Sequence, residues 1–491
     1  MNRAPLTLAA VAAALAAVTG IAAFTAPDGR AGGGAQAAAR LPVERSTLVC
    51  PVPSGSDVAE TTYTAFTPAT PGAAAGKGTA TLVTAVKQPK ALLTLKEPGK
   101  PVGATAAGAE APALAGSADG VLAPGWTAQQ TTTVPVGSAR GVLGTGCSAP
   151  DTDFWFPGTA TSKNRQDYLH LTNPDDDTAA VVDIQLYGPD GTVKSDSTGT
   201  EGFKVPPRTS LSVSLATLSP TPLPDVTAHV TTRSGRVGAT VQVQEDGVGS
   251  DWLPAAADAA PELVLPGLPA DATDIKLVVH APGDDDADLK VRLAGPTGSI
   301  TPAGSESVHV KSGMTTAVYL KDVTRGEAGS LLLTPADPKH RTPVVASVRV
   351  IRGTGEKQEL ALIPATAPVG TRATAADNRA AGTTLSLTAP GTDATVRVTA
   401  SAGTGGGTPA TKTYTVKKGT TLAVKPPVPA GLKGSYALTV ETVSGGPVHA
   451  ARTLELPHEG VLMFTVQTLQ DDRGTVPVPD AVQDLSVLSR D

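Results

Sequence analysis

Aromatic residues are scarce in this sequence: Phe, Trp and Tyr together make up 3% of 491 residues, and only three are Trp. That excludes the extended stacking platforms that hold bases or sugars. Charge is also sparse, with 17% charged residues and a formal net charge of −6. A chain so weakly charged, and of the wrong sign, does not bind nucleic acid by neutralising phosphates and releasing counterions. No G-x-S-x-G elbow, P-loop or H-E-x-x-H spacing occurs, and no G-x-G-x-x-G follows a strand pattern. The common nucleophile, phosphate-cradle, dinucleotide and zinc signatures are therefore missing. Cysteine is limited to Cys50 and Cys147.

What is abundant is turn-forming residue: 52 Gly and 43 Pro. At roughly 100–200 residues per domain, this length predicts about three to four domains. The N-terminus adds a location. After Met1-Asn2-Arg3 an Ala-, Val- and Leu-rich stretch runs from Leu6 to Ala26 without a charge before Asp28. A short positive start followed by an apolar run is an export signal. Its length is close to the roughly 20 residues that span a bilayer, so a cleaved leader and a retained membrane anchor both fit. An exported chain meets an oxidising compartment, and its two cysteines are expected to pair as Cys50–Cys147.

From residue 150 onward a pattern recurs. Tyr168-Leu-His-Leu-Thr-Asn-Pro174, Ile275-Lys-Leu-Val-Val-His280 and Thr384-Leu-Ser-Leu-Thr388 stand about 108 positions apart, a whole-domain period rather than a solenoid's. Within each copy apolar residues alternate, as in Val308, Val310, Val318 and Leu320, which is the period of half-buried strands. Gly188-Pro189-Asp190-Gly191 and Gly295-Pro296-Thr297-Gly298 occupy the same place in two copies and predict tight turns. The expected fold is all-β: tandem immunoglobulin-like antiparallel β-sandwiches after an N-terminal apolar export or anchor helix. The expected boundaries are 1–27 for the leader or anchor, 28–45 for a linker, 46–150 for a degenerate sandwich closed by the disulfide, then 151–260, 261–366 and 367–491 for three repeats. "TLVCPVP", "FWFPG", "LVLPGLP" and "LALIPATAP" are read as unit openings, and Ala104–Ser117 as a flexible loop.

The run "FPG…YLHLTNPDDDTAAVVDIQLYGPDG", then "VPPRTSLSVSL" and "VTTRSGRVGATVQV", resembles bacterial exported β-sandwich modules. With "LPVERSTLVCPVP" and "DTDFWFPG", most of the chain is similar to an uncharacterised family of secreted or membrane-anchored actinobacterial proteins. The resemblance implies a structural role and assigns no catalytic residue.

Polar candidates are few. Asp175-Asp176-Asp177 and Asp284-Asp285-Asp286 with Asp288 fall at matching places in two copies. Calcium needs several converging oxygens, whereas consecutive Asp on an extended turn diverge, so these read as charged turns that discourage edge pairing. Seven scattered histidines lack metal spacing; His170 and His280 are expected at strand ends. Phe154-Trp155-Phe156 is the densest aromatic spot, a junction plug or an interaction surface, and Trp126 and Trp252 are expected to fill cores or junctions. The leading expectation is a non-catalytic envelope protein with no cofactor and no metal, whose sandwiches meet an envelope protein or a glycan, held to the membrane only if the N-terminal segment persists. An enzyme on wall polysaccharide with paired rim acids would draw on Asp151, Asp153 or Asp251; a plain structural spacer is the third reading.

Overall fold

The computed structural model describes residues 39–70, 76–194 and 200–478. The apolar stretch Leu6–Ala26, expected to be an export signal or anchor, lies outside these residues. Among the described residues no helix is long and apolar enough to cross a membrane; the regular structure is antiparallel strand with three short 3-10 turns. Ala39–Pro42 and Thr475–Val478 form a two-stranded sheet of their own.

Between them, from Pro42 to Thr475, lie four pairs of sheets with one recurring connectivity. The second pair shows it. Its outer sheet runs Asp153–Thr159, Val226–Ser234, Ala180–Gly188 and Gly191–Thr192, and its inner sheet runs Thr209–Ser214, Arg165–Asn173, Gly238–Glu245 and Gly249–Pro254. Successive strands cross between the sheets, so the two must face each other. Ala180–Gly188 alternates buried and half-buried residues along its whole length, as expected of one face on a core and one outward. Ile184, Leu186 and Val230 of the outer sheet meet Leu169, Leu171 and Val241 of the inner one in a single buried cluster. Gly188 pairs with Gly191 across the turn the dipeptide Pro189-Asp190 predicts, and Gly295 donates to the Gly298 carbonyl at 2.8 Å in the next pair.

The first pair has the same strand order despite its degenerate sequence. Here the expected loop at Ala104–Ser117 is mostly strand, within Val102–Ala107 and Leu114–Asp119. Small residues are used there because a large ring needs the space: a Cβ on Gly116 would lie 2.5 Å from Trp126 Cη2 and from Leu82 Cδ2. "LALIP" also differs from its expected place. It is the last strand of the third pair, Glu359–Pro364, and the fourth pair opens instead with Arg372–Asn378. Phe464–Leu469 closes the inner sheet of the fourth pair.

The last strand of each inner sheet, Gly141–Gly146, Gly249–Pro254, Glu359–Pro364 and Phe464–Leu469, packs against the next one, and the fourth packs back on the first. The four sheet pairs therefore close into a ring. The hydrophobic clusters follow this closure. Leu360 and Leu362 of the third pair complete the second pair's core, and Phe464 and Val466 of the fourth complete the third's.

Cys50 and Cys147, 97 positions apart, are joined and tie the first strand of the first pair to the end of the last strand of its inner sheet. Closing a loop of that length restrains the unfolded chain by about 4–5 kcal/mol on chain-entropy grounds. Replacing both cysteines by Ala is expected to lower the denaturation free energy by about that amount, read from urea midpoints. An unchanged midpoint would show that the bridge does not stabilise the ring.

Candidate functional site

Asp251 lies at the centre of the ring, fully buried, on the second inner strand. The Thr465 hydroxyl donates to its Oδ1 at 3.0 Å and the Gly144 N–H donates to the same oxygen at 3.3 Å. The Leu362 N–H donates to Oδ2 at 3.4 Å. One carboxyl thus receives hydrogen bonds from the other three inner strands. These strands are sheet edges with unpaired backbone groups, and such groups must find partners when buried. Gly144 permits the approach, because a Cβ there would sit 2.5 Å from Thr465 Cγ2. Burial pushes the Asp251 carboxyl well above the ordinary carboxylate range, against the opposing hydrogen bonds.

A second buried acid, Glu359, begins the third inner strand. Its Oε2 is 3.8 Å from Arg140 Nε, and burial raises its carboxyl to about 9 although Arg140 opposes the shift. Arg140 belongs to the first pair, yet it donates to the carbonyls of Val248 (2.9 Å), Glu356 (3.1 Å) and Gln358 (2.5 Å). Cations cross the other seams as well. Arg349 makes a two-pronged pair with Glu245 at 2.6 and 2.8 Å and reaches Asp274 at 3.2 Å. Arg352 joins Asp271 (2.7 Å) to Glu455 (2.6 Å). At the closing seam Arg372 pairs with Asp472 at 2.6 Å and donates to the Pro124 carbonyl at 3.3 Å. Planar guanidinium groups suit such partly buried, two-pronged contacts.

Phe154 and Phe156 face inward and are buried in the second pair's core. Trp155 points to the other face, where it stacks on His229 (centroids 3.7 Å apart, planes at 7°) and lies 5.3 Å from His280 of the third pair. Tyr187 joins the group, 4.7 Å from His280. The triplet is therefore divided between a core and the second seam. Trp126 fills the first pair's core, and Trp252 packs with Ala59, Val134 and Leu143 of the first pair.

The acids named from sequence do not converge. Asp251 is at the axis, Asp153 is exposed beside His229 at 3.0 Å, and Asp151 accepts from the Thr152 N–H. Of the Asp turns, Asp176 pairs with Arg208, and Asp288 with His309 at 2.8 Å. Among the described residues no group of three or more His, Cys, Asp or Glu is placed to hold a metal.

The expectation for His170 is corrected. It stands within Arg165–Asn173, an interior strand bonded on both sides, with its ring edge-on to Trp252 at 5.1 Å. A small cavity of about 10 Å³, room for about one water, is lined by His170, Thr172 and Thr240 of the second pair and by Val49, Thr145 and Ser148 beside the disulfide. His280 does end its strand but is wholly buried, its Nδ1 3.0 Å from the Met314 carbonyl. Sequence reading missed Arg140 and Glu359. Their signal was a lone Glu opening an otherwise apolar strand.

A family model described as "Family of unknown function (DUF5719)" matches residues 102–427, more than half of the chain. The chain belongs to this family. The matched region contains the second and third sheet pairs entire, with parts of the first and fourth. No curated protein matches the chain.

The buried groups fix how stability depends on pH. Burial lowers His170, His280 and His449 from 6.5 to about 4. Unfolded chains take up these protons below pH 6.5, so each histidine removes about 1.4 kcal/mol per unit as pH falls toward 4. Glu359 acts in the opposite direction. The folded chain keeps a proton that the unfolded chain loses above 4.5, so stability falls by about 1.4 kcal/mol per unit as pH rises toward 9. Asp251 adds to that alkaline limb. Urea denaturation across pH 4–9 is expected to show a maximum at about 6.5, and Glu359→Gln to flatten the alkaline limb. A limb equally steep in the variant would contradict the assignment of Glu359 as a neutral acid.

Proposed function

We propose that this family member is a non-catalytic, exported protein of the cell envelope, in which immunoglobulin-like sandwiches joined in a ring present their outer faces and loops to an envelope protein or a glycan. The observation that carries the reading is the use of the buried polar groups. Asp251, Glu359 and Arg140 hold inner strands to one another at the axis, so the ring's most perturbed acids are engaged in assembly and shielded from any substrate. The long-range Cys50–Cys147 bridge fits an oxidising compartment. So does the apolar segment at Leu6–Ala26, which would leave the chain either released or tethered at its N-terminus. The resemblance to secreted and membrane-anchored actinobacterial proteins points the same way.

Two measurements test this. Intact mass from native cells, with and without reductant, is expected to show the oxidised cysteine pair in a protein recovered outside the cytoplasm. In-cell crosslinking followed by mass spectrometry is expected to return envelope proteins or wall glycan. A reduced, cytoplasmic protein with no envelope crosslink would overturn the proposal.

A further inference from the structure

Lys276 is the one buried lysine among the described residues; all the others are exposed. A lysine normally lays its stem along the protein and keeps its ammonium in water. Lys276 instead lies on Ala272–His280, an interior strand, between Arg349 and Tyr319 of the two neighbouring strands. Its Nζ is 2.5 Å from Oδ1 of Asp225, the residue that precedes Val226–Ser234 in the second pair. The contact therefore crosses the second seam. Lys100 and Glu97 come equally close, but their side chains are 65% and 56% exposed, against 9% and 12% for Lys276 and Asp225. Lys417 and Asp393, at 2.9 Å, are exposed as well. Seclusion, rather than distance, sets the Lys276 pair apart.

The neighbouring charges leave these two groups to each other. Arg349 takes up Glu245 and Asp274, and Arg165 takes up Asp167 at 2.8 Å. Asp225 Oδ1 is shut off from solvent, and the Tyr319 ring lies 5.7 Å from Lys276 Nζ. Burial, with Arg165 and Arg349 adding to it, pushes the Lys276 ammonium below its ordinary range although Asp225 opposes the shift. Passing its proton to Asp225 leaves a neutral amine facing a neutral carboxylic acid. From that state a desolvated lysine acts as a nucleophile toward a carbonyl carbon. Because the fold already holds the two groups in contact, the entropic cost of their encounter is removed. Joining them also removes one secluded charge of each sign, and such charges are expensive to keep out of water.

We propose that Lys276 and Asp225 condense into an amide that bonds the second sheet pair covalently to the third. The ammonium gives one proton to the carboxylate, and the amine lone pair then forms the Nζ–Cγ bond. The nitrogen gives a second proton to a hydroxyl on Cγ, the C–O bond breaks, and one water leaves. No oxidant, cofactor or second protein takes part. The bond concerns the ring itself, so the envelope reading stands or falls without it.

Tryptic digestion of the reduced, urea-denatured full chain, followed by mass spectrometry, tests the proposal. Asp225 falls in the peptide 209–233, and Lys276 ends the peptide 237–276 if its amine is free. Trypsin does not cut after an amidated lysine. The expected product is a branched peptide joining 209–233 to 237–290, lighter than the two together by one water. Fragmentation is expected to place the link at Asp225 and Lys276. Lys276→Arg and Asp225→Ala are each expected to lose the branched peptide. Free 209–233 and 237–276 as the main products of the folded wild-type chain would overturn the inference, and so would a branched peptide that survives either substitution.

Discussion

Four sheet edges meeting around one carboxyl set the terms for the rest of the molecule. A sheet edge presents unpaired N–H and C=O groups, and burying four of them at an axis is permissible only if those groups are satisfied. Asp251 supplies acceptors for Gly144, Leu362 and Thr465 at once. Burial pushes the carboxyl well above the ordinary carboxylate range, which lowers the cost of placing a small acid among the edges. The seams depend on the same closure. With each inner strand fixed against its neighbour, Arg349, Arg352 and Arg372 are held within reach of their partners.

This construction separates two tasks. Interior polar groups fix the ring, and exposed groups are free to differ between copies. The outer sheets of the second and fourth pairs share a topology but not a charge pattern.

How much was legible beforehand varies with the range of the interaction. The strands, their alternation, the Pro-Asp and Pro-Thr turns and the Cys50–Cys147 bridge are local or nearly forced, and the sequence carries them. The period near 108 residues carries the shared topology of three pairs. The ring does not show in sequence, because it depends on contacts such as Thr465 with Gly144, 321 positions apart, through groups with no motif of their own. Asp251 has no motif of its own and stands in the sequence only as one of three acids that an enzyme on wall polysaccharide would draw on. The strands within Ala104–Ser117 were hidden by their small residues, whose reason is the Trp126 ring packed against Gly116.

Closure between the last pair and the first is the claim on which the account stands. Thr64 and Ser435, 371 positions apart, bring their hydroxyl oxygens to 3.4 Å across that seam. The double variant Thr64→Cys, Ser435→Cys, oxidised in air and mapped by peptide mass spectrometry, tests it most directly. The account predicts a crosslinked 64–435 peptide beside the intact native bridge. Two free thiols at these positions in a folded protein would mean that the fourth pair does not return to the first, and that no ring exists.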